Sequence, residues 1–186
     1  MKSGSLQLQP LPSFPKIVSG DSLADIIVEL TKKHVMEPKL GALVVVAQKV
    51  VSKAEGRVVD LRSVKVSNEA LTLADSTGKD PRLVELILQE SCSIVRKRLG
   101  LIIAEHRTGH ILANAGIDVS NVSDSIDSDD VLLWPEDPDC SANRLSAKLS
   151  KAFGFFVPVI INDSLGRPWR LGTLGSAIGS YGLEPV

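Results

Sequence analysis

Three clusters of polar side chains follow apolar runs in this chain, and each has the composition to act on phosphate or on a cation. The first lies in GALVVVAQKVVSKAEGR, where Gln48, Lys49, Ser52 and Lys53 come after a Val-rich stretch. Two lysines four residues apart can converge on a polyanion as point charges. A solvated strand end with snorkelling lysines fits the same residues. The second is NAGIDVSN, Asn114 to Asn121. Asp118 and Asn121 offer hard oxygen ligands of the kind Mg²⁺ or Mn²⁺ takes, and Gly116 permits a sharp backbone turn. An Asx-turn loop, bonding only its own backbone, is the alternative. The third runs from Val159 to Arg170, where Asp163 and Ser164 stand side by side at the end of an apolar run. A carboxylate and a hydroxyl so placed can hold a divalent cation, and Arg167 and Arg170 supply planar forks for phosphate or carboxylate. A turn carrying a cation–π pair on Trp169 accounts for the segment without a ligand.

Other chemistries find no footing. No G-x-x-x-x-G-K-[ST] motif occurs, and the closing glycines Gly172, Gly175, Gly179 and Gly182 fit no dinucleotide fingerprint. His34, His106 and His110 have no ligand spacing and read as helix-end and hairpin-surface residues. Cys92 and Cys140 lie far apart without metal spacing, which suggests free thiols in a reducing compartment.

The elements that must position these clusters follow from the apolar pattern. A length of 186 residues suits one domain over 1–186, and 44% hydrophobic residues suffice for a core. A net charge of −1 excludes a global basic field, so nucleic acid is not an expected partner. No apolar run approaches the ~18 residues of a membrane span, and the start lacks the apolar stretch of a signal peptide, so a soluble cytoplasmic protein is expected.

Residues 1–15, with Pro10, Pro12 and Pro15, read as an extended edge strand and turn. Helices are expected from about Ser22 to His34, from Ser67 to Ser76, from Asp80 to about Arg96 and from Ser141 to Lys151. Strands are expected over Leu40–Val51, Val58–Leu61, Leu101–Ala104, His110–Asn114, Val131–Trp134 and Phe155–Ile161. Asn114–Asp130 and Asn162–Arg170 read as polar loops, and GTLGSAIGSYG as a Gly-rich tail. The mixture lacks a strict βαβ rhythm and points to an α+β fold with a mixed sheet.

Six stretches carry a resemblance: GDSLADII, VVVAQKVVSKAEGRVVDLR, TGKDPRLVELILQES, ANAGIDVSN, LLWPEDPDCSANRL and NDSLGRPWRLG. In these, and in their order, the chain resembles the coenzyme F(420)-0:L-glutamate ligase family of γ-glutamyl ligases. VSKAEGR, NAGIDVSN and DSLGRPWR are highly specific in combination. The resemblance implies a mixed-sheet α+β domain that forms an intertwined homodimer. It implies an enzyme using GTP, a divalent cation (Mg²⁺ or Mn²⁺), K⁺ as a further cation, and L-glutamate to extend coenzyme F(420)-0 through a γ-linked amide. The implied route phosphorylates the terminal carboxylate of the substrate, after which the glutamate amine attacks that carbon.

Carried over residue by residue, the resemblance makes Asp118, Asp163 and Ser164 metal ligands. It makes Gln48, Lys49, Lys53 and Asn121 GTP contacts. Pro15, Lys16, Ile17 and Val18 match an N-terminal nucleotide-contacting segment, although the family reads closer to Gly-Ile-Pro-Leu-Ile there. Arg167 and Arg170 are expected to meet the substrate. Family members continue well past residue 186, and that part is expected to carry a metal-binding glutamate and further nucleotide contacts. Two other functions stay open: a nucleotide-dependent amide ligase for another acid, and a non-catalytic GTP- and metal-binding module.

Overall fold

Leu23, Ile27 and Leu30 recur at helical spacing, and all three are buried on one face of α1 (Leu23–Lys33). The computed structural model that shows this describes residues 6–34, 36–119, 129–166 and 171–183. Residues 6–22 join no sheet among the described residues, contrary to the edge strand expected of this stretch. Its prolines remove the N–H donors a ladder would need.

The Val-rich stretch departs most from expectation. Only Val44–Ala47 is a strand, β1, and the chain turns at once into a helix, α2 (Gln48–Ala54). Gln48, Val51 and Ser52 are the buried positions of α2, a spacing of three and four that belongs to a helix and not to a strand. β2 (Val58–Asp60) and a short 3₁₀ turn follow. Helix α3 (Asn68–Thr77) is capped by the Ser67 hydroxyl, which accepts from the Ala70 N–H, and by Gly78 in the left-handed region. Helix α4 (Pro81–Glu90) has Pro81 in its first turn and Asp80 as its cap.

α4 stops at Glu90, six residues before the expected end. Ser91–Arg98 is instead strand β3, paired antiparallel with β4 (Leu101–His106) from Ser91↔His106 to Arg98↔Leu101. Ile94 and Val95 are β-branched and favour that outcome. β5 (Ile111–Ala113) completes this sheet, in the order β3-β4-β5. β6 (Asp130–Leu132) pairs with β2. α5 (Pro138–Phe153) begins earlier than expected because the Asp137 carboxylate caps it, accepting from the Cys140 N–H at 2.9 Å.

The largest correction concerns the C-terminal third. Asp163 and Ser164 are not loop residues but part of β7 (Val159–Gly166), and the Gly-rich stretch is a nine-residue strand, β8 (Thr173–Tyr181). The sheet order is β1-β7-β8, with β1 and β7 parallel and β7 and β8 antiparallel, so the mixed-sheet α+β architecture stands. β8 needs its glycines for packing. A Cβ on Gly179 would lie 2.5 Å from the Pro138 carbonyl carbon, so this strand runs directly against the start of α5. Gly179→Ala is therefore expected to cost about 1–3 kcal/mol by overpacking. Urea unfolding would check it, and an unchanged midpoint would contradict the close approach.

Two cores result. One packs Ile27 of α1 and Ala142, Leu145 and Leu149 of α5 under Val159, Ile161 and Ile178, and includes Trp134. The other packs Leu73, Val84 and Ile87 of α3 and α4 against Ile102 and Ala104 of β4, and includes Ala115 and Ile117. Among the described residues no helix is long and apolar enough to cross a membrane.

Candidate active site

Helix α2 links two neighbouring features. Lys49 and Lys53 are one turn apart, and side chains four residues apart share a helix face. Lys49 Nζ lies 2.6 Å from Asp118 Oδ2. Lys53 lines a cavity of about 310 Å³ together with Lys16, Ile17, Val18, Ser19, Gly56 and Val58. Buried Ile17 anchors this N-terminal segment, and the Gly20 N–H donates to the Ala54 carbonyl at 2.9 Å, tying it to the end of α2. Pro15 is exposed just ahead of it. Gln48 sits in the core instead, and its amide nitrogen donates to Ser52 Oγ at 2.7 Å.

Asp118 is delivered by an unusual turn. Asn114, Ala115 and Gly116 have φ of 53°, 51° and 75°, three successive left-handed residues of which two are not glycine. Each non-glycine residue there costs roughly 1–2 kcal/mol. Burial of Ala115 and Ile117 in the second core helps to offset that cost. Gly116 is required sterically, since a Cβ there would lie 2.6 Å from the Trp134 ring. Beyond the turn, the Asp118 backbone is pinned to β6 by two hydrogen bonds with Leu132, at 3.0 and 2.8 Å.

Asp163 falls on the inward face of β7. Val159, Ile161 and Leu165 of the same strand are buried, and the two-residue period of a strand puts position 163 with them. Trp134 Nε1 donates to Asp163 Oδ2 at 3.0 Å, and the Ser164 N–H donates to Oδ1 at 2.7 Å. Burial pushes the Asp163 carboxyl above its ordinary range. The Asp118 charge adds to this, while the Ser164 amide, the Trp134 indole and the Lys49 ammonium oppose it. Ser164 itself is exposed, as expected for the next residue along a strand.

Asp118 and Asp163 supply two carboxylates, hard oxygen donors that suit a divalent cation, with the Ser164 hydroxyl next along β7 on its exposed side. A cation would also relieve the unfavourable burial of Asp163 beside Asp118. Among the described residues no three His, Cys, Asp or Glu side chains converge on one point, so a cation here would draw on further oxygen ligands. Asn121, Arg167 and Arg170 lie outside the described residues.

Behind the carboxylates lies a buried polar cluster that the sequence pattern did not reveal. Glu90 is 6% exposed. Its carboxylate accepts two hydrogen bonds from Arg57 Nη2, both at 2.9 Å, and pairs with Arg107 Nη2 at 3.0 Å. His106 Nε2 lies 3.6 Å away, ion-pair distance rather than a hydrogen bond. Arg57 Nε also donates to the Trp134 carbonyl at 2.8 Å. His106 is fully buried at the end of β4, which corrects its reading as a surface residue. The expected hairpin turn at Thr108-Gly109 is present, but it folds both of its histidines inward. The Thr108 hydroxyl bridges His106 Nδ1 at 2.8 Å and His110 Nδ1 at 2.9 Å, and both rings pack on Trp134, with centroids 4.8 and 5.3 Å from it.

Residues 13–186 match the protein family described as F420-0:Gamma-glutamyl ligase. The chain belongs to this family. It is 41% identical over 181 residues to the coenzyme F420:L-glutamate ligase of Methanothermobacter thermautotrophicus, a match that covers 97% of this chain and 70% of that protein. It is 44% identical over 179 residues to the enzyme of the same name from Methanopyrus kandleri, covering 96% and 68%. The Methanosarcina mazei protein is 35% identical over 176 residues, covering 92% and 64%.

The γ-glutamyl ligase fold thus pairs Lys49 with Asp118 within electrostatic reach of Asp163, leaves Ser164 on the exposed side of β7, and sets Lys16, Ile17, Val18 and Lys53 around a nearby cavity. Trp134, Arg57 and Glu90 escape a reading of the sequence because their partners lie far away in the chain, and His106 and His110 because the Trp134 ring they pack on does. The signal was positional: Arg57, Glu90 and Trp134 stand in VVVAQKVVSKAEGRVVDLR, TGKDPRLVELILQES and LLWPEDPDCSANRL, stretches that carried the family resemblance.

Proposed function

We propose that this chain acts as a GTP-dependent ligase that joins L-glutamate to coenzyme F(420)-0 through a γ-linked amide, by way of an acyl phosphate. One observation carries the reading: the Lys49–Asp118 pair, within electrostatic reach of the Asp163 carboxylate, stands one helical turn from the cavity that Lys53 and Lys16 line. The relatives' names, with coenzyme F420 and L-glutamate, and the family description, with F420-0, support the choice of acceptor and amino acid.

In this reading GTP lies with its phosphates along α2, where Lys49 and Lys53 offset their charge and Lys16 closes the far side of the cavity. Asp118, Asp163 and Ser164 would hold a divalent cation, Mg²⁺ or Mn²⁺, and that cation would neutralise charge on the transferring phosphoryl group. The terminal carboxylate of the acceptor attacks the γ-phosphorus; a new O–P bond forms and GDP leaves with the electrons of the broken bond. The glutamate amine then attacks the activated carbonyl carbon, inorganic phosphate departs, and the amine loses a proton. We also propose that the chain works as a homodimer, that K⁺ is a further cation, and that Asn121, Arg167 and Arg170 complete the nucleotide and acceptor contacts.

Calorimetry with GTP, with and without Mn²⁺, tests the nucleotide site, and turnover with glutamate and coenzyme F(420)-0 tests the reaction. GTP binding without phosphate release would favour a non-catalytic module, and phosphate release with other acids only would favour a different acceptor. Lys53→Ala is expected to weaken GTP by about tenfold or more, the worth of one charge-assisted hydrogen bond. Equal GTP affinity with a lowered melting temperature would make Lys53 a structural residue.

A further inference from the structure

We infer that Trp134 is a positioning residue for the Asp163 carboxylate, holding it through the indole N–H in the orientation that receives a divalent cation. This rests on the reading of Asp163 as a cation ligand.

An indole N–H is a donor only, and a buried donor without a partner is costly. Trp134 is 1% exposed, and its N–H is spent on Asp163 Oδ2 at 3.0 Å. The Ser164 amide holds Oδ1 at 2.7 Å. Each carboxylate oxygen has about two lone-pair directions, so one bond to each leaves the other direction on each oxygen for a cation. With both oxygens held, the carboxylate cannot rotate freely about its terminal torsion.

The indole is itself immobilised from several sides. Gly116 lies against its edge with no room for a methyl group. The rings of His106 and His110 pack on it, and the Thr108 hydroxyl locks those rings to each other. Its peptide carbonyl accepts from Arg57 Nε at 2.8 Å, and Arg57 is held in turn by Glu90. Packing alone would not need this donor, because phenylalanine fills an apolar site without adding a polar group. The arrangement has the form of an outer partner that orients a ligand, and loss of such partners typically weakens metal binding by 10–100-fold.

Two measurements test it on the intact chain. Mn²⁺ affinity, read by electron paramagnetic resonance, is expected to fall about 10–100-fold in Trp134→Phe. The chain has two tryptophans, Trp134 and Trp169, so its indole ¹⁵N–¹H resonances can be assigned with Trp169→Phe. The Trp134 resonance is expected to move as Mg²⁺ saturates the protein. Equal Mn²⁺ affinity in Trp134→Phe overturns the inference and leaves Asp163 as a ligand. So does a Trp134 resonance that stays in place at Mg²⁺ saturation, a result that does not depend on the variant folding. Failure of the unaltered chain to bind either ion overturns the cation reading of Asp163, and the inference with it.

Discussion

Asp163→Ala is expected to weaken Mn²⁺-dependent GTP binding by more than about 100-fold, beyond the range for loss of an outer partner. The carboxylate is half-buried on the inward face of β7, faces the Asp118–Lys49 pair, and has both oxygens oriented by fixed donors. Removing it leaves Asp118 to hold a cation while Lys49 competes for the same oxygen. Calorimetry in Mn²⁺ and in chelator separates the metal-dependent part. Unchanged affinity in Mn²⁺ would sink the assignment.

The stability of that variant is set by opposing effects. The folded protein binds the Asp163 proton more tightly than the unfolded chain does. The resulting stabilisation is complete below the ordinary aspartate pKa and is lost as pH rises through the elevated folded value. At neutral pH the ionised carboxylate therefore opposes folding, and its removal relieves that term. The same removal leaves the Trp134 N–H without its acceptor, which costs about 1–3 kcal/mol. A cooperative unfolding transition is expected to survive.

Glu90→Gln is expected to destabilise the fold by about 3–5 kcal/mol, the usual loss when one partner of a buried ion pair is removed. Burial by itself would push the Glu90 carboxyl up. His106, Arg57 and Arg107 together outweigh burial and hold it below the ordinary glutamate range. The sign is opposite to that at Asp163. Glu90 contributes stability that is complete above the ordinary glutamate pKa and lost as pH falls through the depressed folded value. Acid unfolding of the parent should therefore include a component that Glu90→Gln lacks. The amide would also set an NH₂ group against the Arg57 guanidinium beside the buried Glu90 position. Urea unfolding at neutral pH measures the loss, and a change below about 1 kcal/mol would show that Arg57 and Arg107 are satisfied without Glu90.

Much of the fold was legible because its signals are local. The Ser67 and Gly78 ends of α3, the Asp80-Pro81 start of α4 and the Thr108-Gly109 hairpin are set by the backbone preferences of a few adjacent residues. Where local preference is divided, the reading failed. VVVAQKVVSKA is rich in β-branched residues, yet its second half is helical because burying Gln48, Val51 and Ser52 requires a helical period. The glycines of β8 suggested a tail, since nothing local shows that the strand must pass against Pro138 with no room for a side chain.

The chemistry divides the same way. Sequence by itself determined which side chains are available: the lysines of α2, the aspartate after NAGI, the Asp163-Ser164 pair, and their membership of a known ligase family. Tertiary structure alone decided which of them meet. Lys49 and Asp118 are far apart in the chain but 2.6 Å apart in space, and Trp134 reaches Asp163 across 29 residues. Residue type and spacing act over a helical turn or a strand. Whether a carboxylate becomes a buried, oriented ligand depends on what the rest of the chain packs around it, and the partners of Asp163 and Glu90 are brought in by separate elements.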